Sequence, residues 1–70
     1  MKFSGQLLRE LRESKSWTMA QLGEKLASRL PRAFPKQTIW QYEHEERTPS
    51  LVITIELCNI LGVEIHEIMI

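Results

Sequence analysis

Lys36, Gln37, Trp40 and Gln41 recur at i, i+1, i+4 and i+5, a spacing that gathers them on one face of a helix. Ile39 and Tyr42 fall on the other side and suit a core. A face that carries Lys and two Gln can donate and accept hydrogen bonds together. Base edges in the DNA major groove ask for that combination. Lys matches the guanine acceptors, and Gln grips adenine bidentately. Trp40 is placed to touch a thymine methyl or the sugar-phosphate wall. The same residue types also suit an ordinary solvated helix face.

Other chemistry finds little support. His44, His66 and Cys58 lack zinc-site spacing, and there is no glycine-rich phosphate loop. The chain contains no Asp, so a Ser/His/Asp triad is impossible. Glu in its place would need a pocket that so short a chain rarely builds. A non-enzyme with no cofactor and no metal is expected.

The 70 residues form one domain, 1–70, which buries only about 60% of its unfolded surface. Hydrophobic residues make up 43%, so the chain is globular. No apolar run approaches the roughly 20 residues of a membrane span. Met1-Lys2-Phe3 does not lead into the apolar run of a signal peptide. A single Cys58 excludes an intrachain disulfide, and a reduced, cytoplasmic setting is expected. Net charge is zero but polarised. Residues 1–47 hold all nine Lys and Arg against six Glu, and residues 48–70 hold three Glu and no base. A neutral chain argues mildly against nucleic acid, and a basic front argues for it.

The patterning is all-α. Ser4 caps a first helix with Leu7, Leu8 and Leu11 on one stripe, fading near Lys15-Ser16. Thr18 and Gln21 make a capping-box pattern for a second helix, whose apolar positions run from Met19 through Leu22, Gly23, Leu26 and Ala27 to Leu30. Pro31 stops it, and Pro31–Pro35 is a stiff turn with Phe34 as inward anchor. The third helix covers about Lys36 to His44. Thr48 or Ser50 caps a fourth, which Gly62 ends, and Val63–Ile70 supplies a short fifth. No segment alternates as a strand does, so no sheet is expected.

This order of elements resembles the phage-repressor-like helix-turn-helix domain (Cro/C1-type, XRE family). The resemblance covers nearly the whole chain. Gly5-Gln6-Leu7-Leu8-Arg9-Glu10-Leu11-Arg12 is similar to the family's first helix, and Trp17-Thr18-Met19-Ala20-Gln21-Leu22-Gly23 to its second with the preceding cap. Thr38-Ile39-Trp40-Gln41-Tyr42-Glu43 resembles its recognition helix. Pro49-Ser50-Leu51 resembles the exit, and Leu57-Cys58-Asn59-Ile60-Leu61-Gly62-Val63 the fourth helix with its closing Gly-Val. Each motif is weak alone, and five in order are strong. The resemblance implies a compact five-helix lambda-repressor-like fold that binds double-stranded DNA as a transcriptional regulator. It also implies an ion pair between Arg12 and Glu43.

Three features depart from the family pattern. The stretch from Leu22 to Glu43 is several residues longer, which extends the connection between helices two and three. Glu45 stands where a small residue is common, so Glu43, Glu45 and Glu46 would sit near the phosphates. Met19 replaces a polar phosphate-binding side chain, and a thioether cannot donate.

The site expected from these residues has three parts. Lys36, Gln37, Trp40 and Gln41 read bases, while Thr18, Thr38, Arg47 and Arg32 hold phosphates, helped by the backbone amides that open helices two and three. The C-terminal end dimerises. Leu51, Ile55, Cys58 and Leu61 form the core stripe of helix four, which leaves Val52, Ile53 and Ile60 over; Ile53 and Ile60, seven apart on one face, join Met69 in an interface. A two-fold homodimer implies a palindromic operator. The other class of function is a protein-interaction module that keeps the fold without binding DNA.

Overall fold

The computed structural model describes residues 1–70 and contains four α-helices. Ser4 is extended, and its hydroxyl accepts the Leu7 amide, which starts α1 (Gly5–Ser14). Thr18 starts α2 (Met19–Ala27) through a full capping box: its hydroxyl accepts the Gln21 amide at 3.0 Å, and the Gln21 side chain accepts the Thr18 amide at 2.8 Å. Pro35 precedes α3 (Lys36–Glu43) and offers no side-chain cap. Ser50 caps α4 (Leu51–Leu61) by accepting the Ile53 amide, and Gly62 ends it at φ +71°.

The second helix is shorter than its pattern predicts. It ends at Ala27, and Ser28 to Leu30 form a turn. The cause is the connection that follows. Phe34 folds inward, and its carbonyl comes so close to α2 that a Cβ on Gly23 would collide with it. A helix carried on to Leu30 would hold the chain away from that contact. Phe34 is the expected anchor, only 4% exposed.

The fifth helix is also corrected. Only a single 3₁₀ turn forms, Ile65–Glu67, so the count is four α-helices and not five. The last residues instead meet the first ones. Lys2 and Ile70 exchange backbone hydrogen bonds at 2.7 and 2.8 Å, and Ser4 donates to the Ile68 carbonyl. This makes one isolated antiparallel bridge, Phe3 to Met69, in an otherwise helical chain. β-branched Val63, Ile65, Ile68 and Ile70 suit extended pairing better than a last helix.

Leu8, Leu22, Leu26, Ile39, Leu57, Leu61 and Ile68 are the fully buried centre. The core face of α4 is Ile53, Thr54, Leu57, Cys58 and Leu61, which corrects the expected stripe. Ile53 is 6% exposed and cannot form an interface, while Leu51, Val52 and Ile55 face outward. The reason lies in the sequence Leu-Val-Ile-Thr-Ile-Glu-Leu-Cys-Asn-Ile-Leu, which is apolar nearly all round. Such a helix has no strong polar face to fix its rotation.

Candidate nucleic-acid interface

Helix α3 divides cleanly. Thr38, Ile39, Tyr42 and Glu43 are buried, while Lys36 and Gln37 are exposed and Trp40 and Gln41 half-exposed. The two sets alternate in pairs, as a one-sided helix requires. The structure thus brings Lys36, Gln37, Trp40 and Gln41 together on the outward face. Neither Lys36 nor Arg47 joins any of the three ion pairs, which are Arg9–Glu13, Arg12–Glu43 and Arg29–Glu56.

What holds this face in position is the Arg12–Glu43 pair. Nε of Arg12 donates to Glu43 at 2.6 Å, a second guanidinium nitrogen donates to the other carboxylate oxygen at 3.1 Å, and the third donates to the Trp17 carbonyl at 2.7 Å. The Glu43 side chain is 1% exposed and that of Arg12 11%. The hydrogen bond to Glu43 holds the guanidinium protonated beyond its already high ordinary range, against the opposing effect of burial. One residue of α1 thereby ties the end of α3 to the loop that opens α2. Close approach reinforces this, since a Cβ on Gly5 would strike the Tyr42 and Glu43 carbonyls.

Two of the three acidic side chains of the cluster have partners within the fold, although only Glu43 is buried. Glu43 is committed to Arg12. Glu45 sits at φ +57° and accepts the Gly5 amide at 3.0 Å, so it caps the positive end of α1. Glu46 alone of the three has no such partner, and it is exposed, as is Glu45.

The residues expected at phosphates are placed unevenly. Thr18 is exposed at the start of α2; its hydroxyl oxygen accepts from Gln21, which leaves its proton to donate. Arg47 is exposed just beyond α3. Arg32 is exposed in the turn, with its guanidinium over the Phe34 ring at 4.9 Å. Thr38 is 9% exposed and turned inward, because position 38 shares the core side with Ile39 and Tyr42.

Two residues beside this face were not among the expected site residues. His44 stacks on Trp40, ring centres 4.0 Å apart and 18° from parallel, and its Nδ1 lies 2.9 Å from the Trp40 carbonyl. The i, i+4 spacing was the available signal. Arg9 projects from α1 into a cleft shared with Met19, Trp40 and His44. Its position three residues before Arg12 places it on the same side of α1. Met19, the first residue of α2, also lines a second, more apolar notch with Lys36, Gln37 and Trp40.

No group of His, Cys and Glu is arranged to hold a metal, and no helix is long and apolar enough to cross a membrane. No protein-family model, curated protein or solved structure matches the chain.

Proposed function

We propose that this chain is a small helix-turn-helix regulator of the phage-repressor-like kind, which binds double-stranded DNA sequence-specifically with α3 in the major groove. One observation carries the reading: α3 turns Lys36, Gln37, Trp40 and Gln41 outward together while Ile39, Tyr42 and Glu43 lock its other side. The outward set can donate to guanine and grip adenine. Two further points support it. The Glu43 carboxylate is buried against Arg12 and the exposed Glu45 carboxylate is engaged by the Gly5 amide, which lowers the electrostatic objection raised by a net charge of zero. The first turn of α3 has no side-chain cap, and the Thr38 amide already donates to the Pro35 carbonyl, so the Lys36 and Gln37 amides are the ones left for phosphate.

In this reading Thr18 and Arg47 hold phosphates, and Arg9 joins them from α1. The protein works in the cytoplasm as a homodimer on a palindromic operator, joined through the outward face of α4. That apolar face also favours the second reading, a protein-interaction module without DNA contacts.

Gel shifts on random duplex DNA at two salt concentrations separate the two. The first reading expects binding that weakens steeply with salt, and tighter sites enriched from a random pool. In that case Gln37→Ala or Gln41→Ala costs roughly 1–3 kcal/mol on an enriched site and much less on random DNA. No shift at low salt rejects DNA binding, and equal losses on both DNAs reject base reading by these residues.

A further inference from the structure

The outward face is polar except at one place. Met19 of α2 and Trp40 of α3 line a notch there together with Lys36 and Gln37, whose polar ends border it. Building on the DNA reading above, we infer that this notch is a receptor for the C5-methyl group of a major-groove pyrimidine, thymine in unmodified DNA. Met19 is therefore a specificity-determining residue and not a lost phosphate contact.

The two walls are held independently. Met19 is half-buried and packs against the core at its base. Trp40 does not belong to that core; it stacks on His44, whose Nδ1 meets the Trp40 carbonyl. The stacking orients the indole while leaving it half-exposed on the outward side of α3. The Met19 thioether is at most a weak acceptor and cannot donate, so this side chain gives nothing to a phosphate. What the thioether and the indole offer is polarizable, apolar contact.

The rim completes the match. In thymine the C5-methyl lies beside the O4 acceptor. The Lys36 ammonium has only donors, and the Gln37 amide can also donate. A methyl in the notch with O4 toward the rim satisfies both features of the base at once. Cytosine fails twice, because it lacks the methyl and presents an amino donor toward Lys36. 5-Methylcytosine restores the methyl alone. The notch therefore reads a group whose presence on cytosine depends on methylation.

The test uses the whole chain and duplexes that it enriches from an unmodified random pool. Each thymine of an enriched site is replaced singly by deoxyuridine, which removes only the methyl. The inference expects one thymine per half-site at which this costs about fourfold in Kd, the worth of one buried methyl-sized group. At that position 5-methylcytosine binds better than cytosine by a similar factor. In the Met19→Ala variant the thymine-to-uracil ratio falls toward one, because the thymine duplex loses more affinity than the uracil duplex. Met19→Gln, which keeps the length, gives the same loss of ratio. A site bound specifically in which every uracil substitution is neutral overturns the methyl receptor and leaves DNA binding intact. A Met19 variant that weakens both duplexes equally assigns the residue to scaffolding and overturns it too. Failure to enrich any duplex rejects the DNA reading and this inference with it.

Discussion

Arg12 and Glu43 stand 31 positions apart in the chain and meet as a two-point pair in the core, with donor distances of 2.6 and 3.1 Å. The pair joins α1 to the last turn of α3, so it fixes the angle at which α3 is presented. Removing one partner strands the other in a dry site, which typically costs about 3–5 kcal/mol. A small domain has little more than that to lose. Arg12→Ala should therefore be largely unfolded near room temperature. Arg12→Lys keeps the charge but cannot reproduce the fork or the third bond to Trp17. It should fold with a clearly lower denaturant midpoint. A midpoint unmoved in Arg12→Lys would show that the pair behaves as an exposed one.

The Glu45 carboxylate is the second long-range tie, and it caps α1 from 40 positions away. Loss of a cap costs about 0.5–2 kcal/mol. Glu45→Ala should lower stability by that amount, because the Gly5 amide loses its partner. Glu45→Gln keeps an acceptor and should lose less. Chemical denaturation of both variants decides this, and equal stability in all three proteins would remove the cap from the account.

Much of this arrangement was legible in the sequence. The helix starts follow from Ser4, Thr18 and Ser50, the stop of α4 from Gly62, and the division of α3 from its spacing. The capping-box pair Thr18 and Gln21 is a local signal and needs no fold to be seen. What was not legible depends on contacts between distant segments. The early end of α2 is set by Phe34 approaching Gly23. The missing fifth helix is set by pairing between the two chain ends. The rotation of α4 was open because its sequence is apolar on every side, so both Ile53 and Ile55 fit a stripe. Thr38 was placed at a phosphate by its residue type, yet its neighbours Ile39 and Tyr42 already put it on the core side. The role of Glu45 had no local signal at all.

Arg9 and Arg47 are expected to contribute charge to the DNA contact without choosing the sequence. Arg9 is held near Glu13 at 3.3 Å, with both side chains more than half exposed at 56% and 53%. So weak a surface pair gives way readily to a phosphate. Each true phosphate contact adds about 0.9 to the slope of log affinity against log salt. Arg9→Ala and Arg47→Ala should each lower the slope by about one, on enriched and random duplexes alike. A slope that does not change removes that arginine from the interface.

Cys58 gives the fold a dependence on alkaline pH. Burial pushes its thiol up from the ordinary 9.0, and Glu67 and Glu64 add to the effect. The unfolded chain loses this proton near 9.0, whereas the folded chain keeps it to higher pH. Between those two values the folded state binds more protons, so stability falls as pH rises. The fall is at most about 1.4 kcal/mol per pH unit for one group. Below the unfolded value this contribution is fully present. Urea midpoints from pH 8 to 10 should decline more steeply in the parent chain than in Cys58→Ala. Parallel declines would show that the thiol is not shielded.

The outward face of α4 is the expected dimer contact, displaced from the position that the sequence suggested. Leu51, Val52 and Ile55 are 67%, 60% and 42% exposed and share one side of the helix at i, i+1 and i+4. Leu51 also lines an apolar groove with Met1, Ile65 and Met69, so the surface runs on to the paired chain ends. Isolated apolar residues on a surface are ordinary, but a contiguous patch marks an interface. Residues 48–70 carry three Glu and no Lys or Arg. Two copies joined here therefore hold their acidic ends together, away from phosphates. Ile53 is buried, so a charge there tests folding and not assembly. Val52→Glu places the charge on the patch without touching the core. Sedimentation at micromolar concentration should give about twice the 8.2 kDa chain mass for the parent and the single mass for Val52→Glu. The variant should keep its thermal midpoint at low concentration, where the parent is also monomeric. It should lose affinity for a two-half-site duplex while binding a single half-site as before. A parent chain that sediments as a monomer, with Val52→Glu equal to it on both duplexes, assigns this face to some other contact.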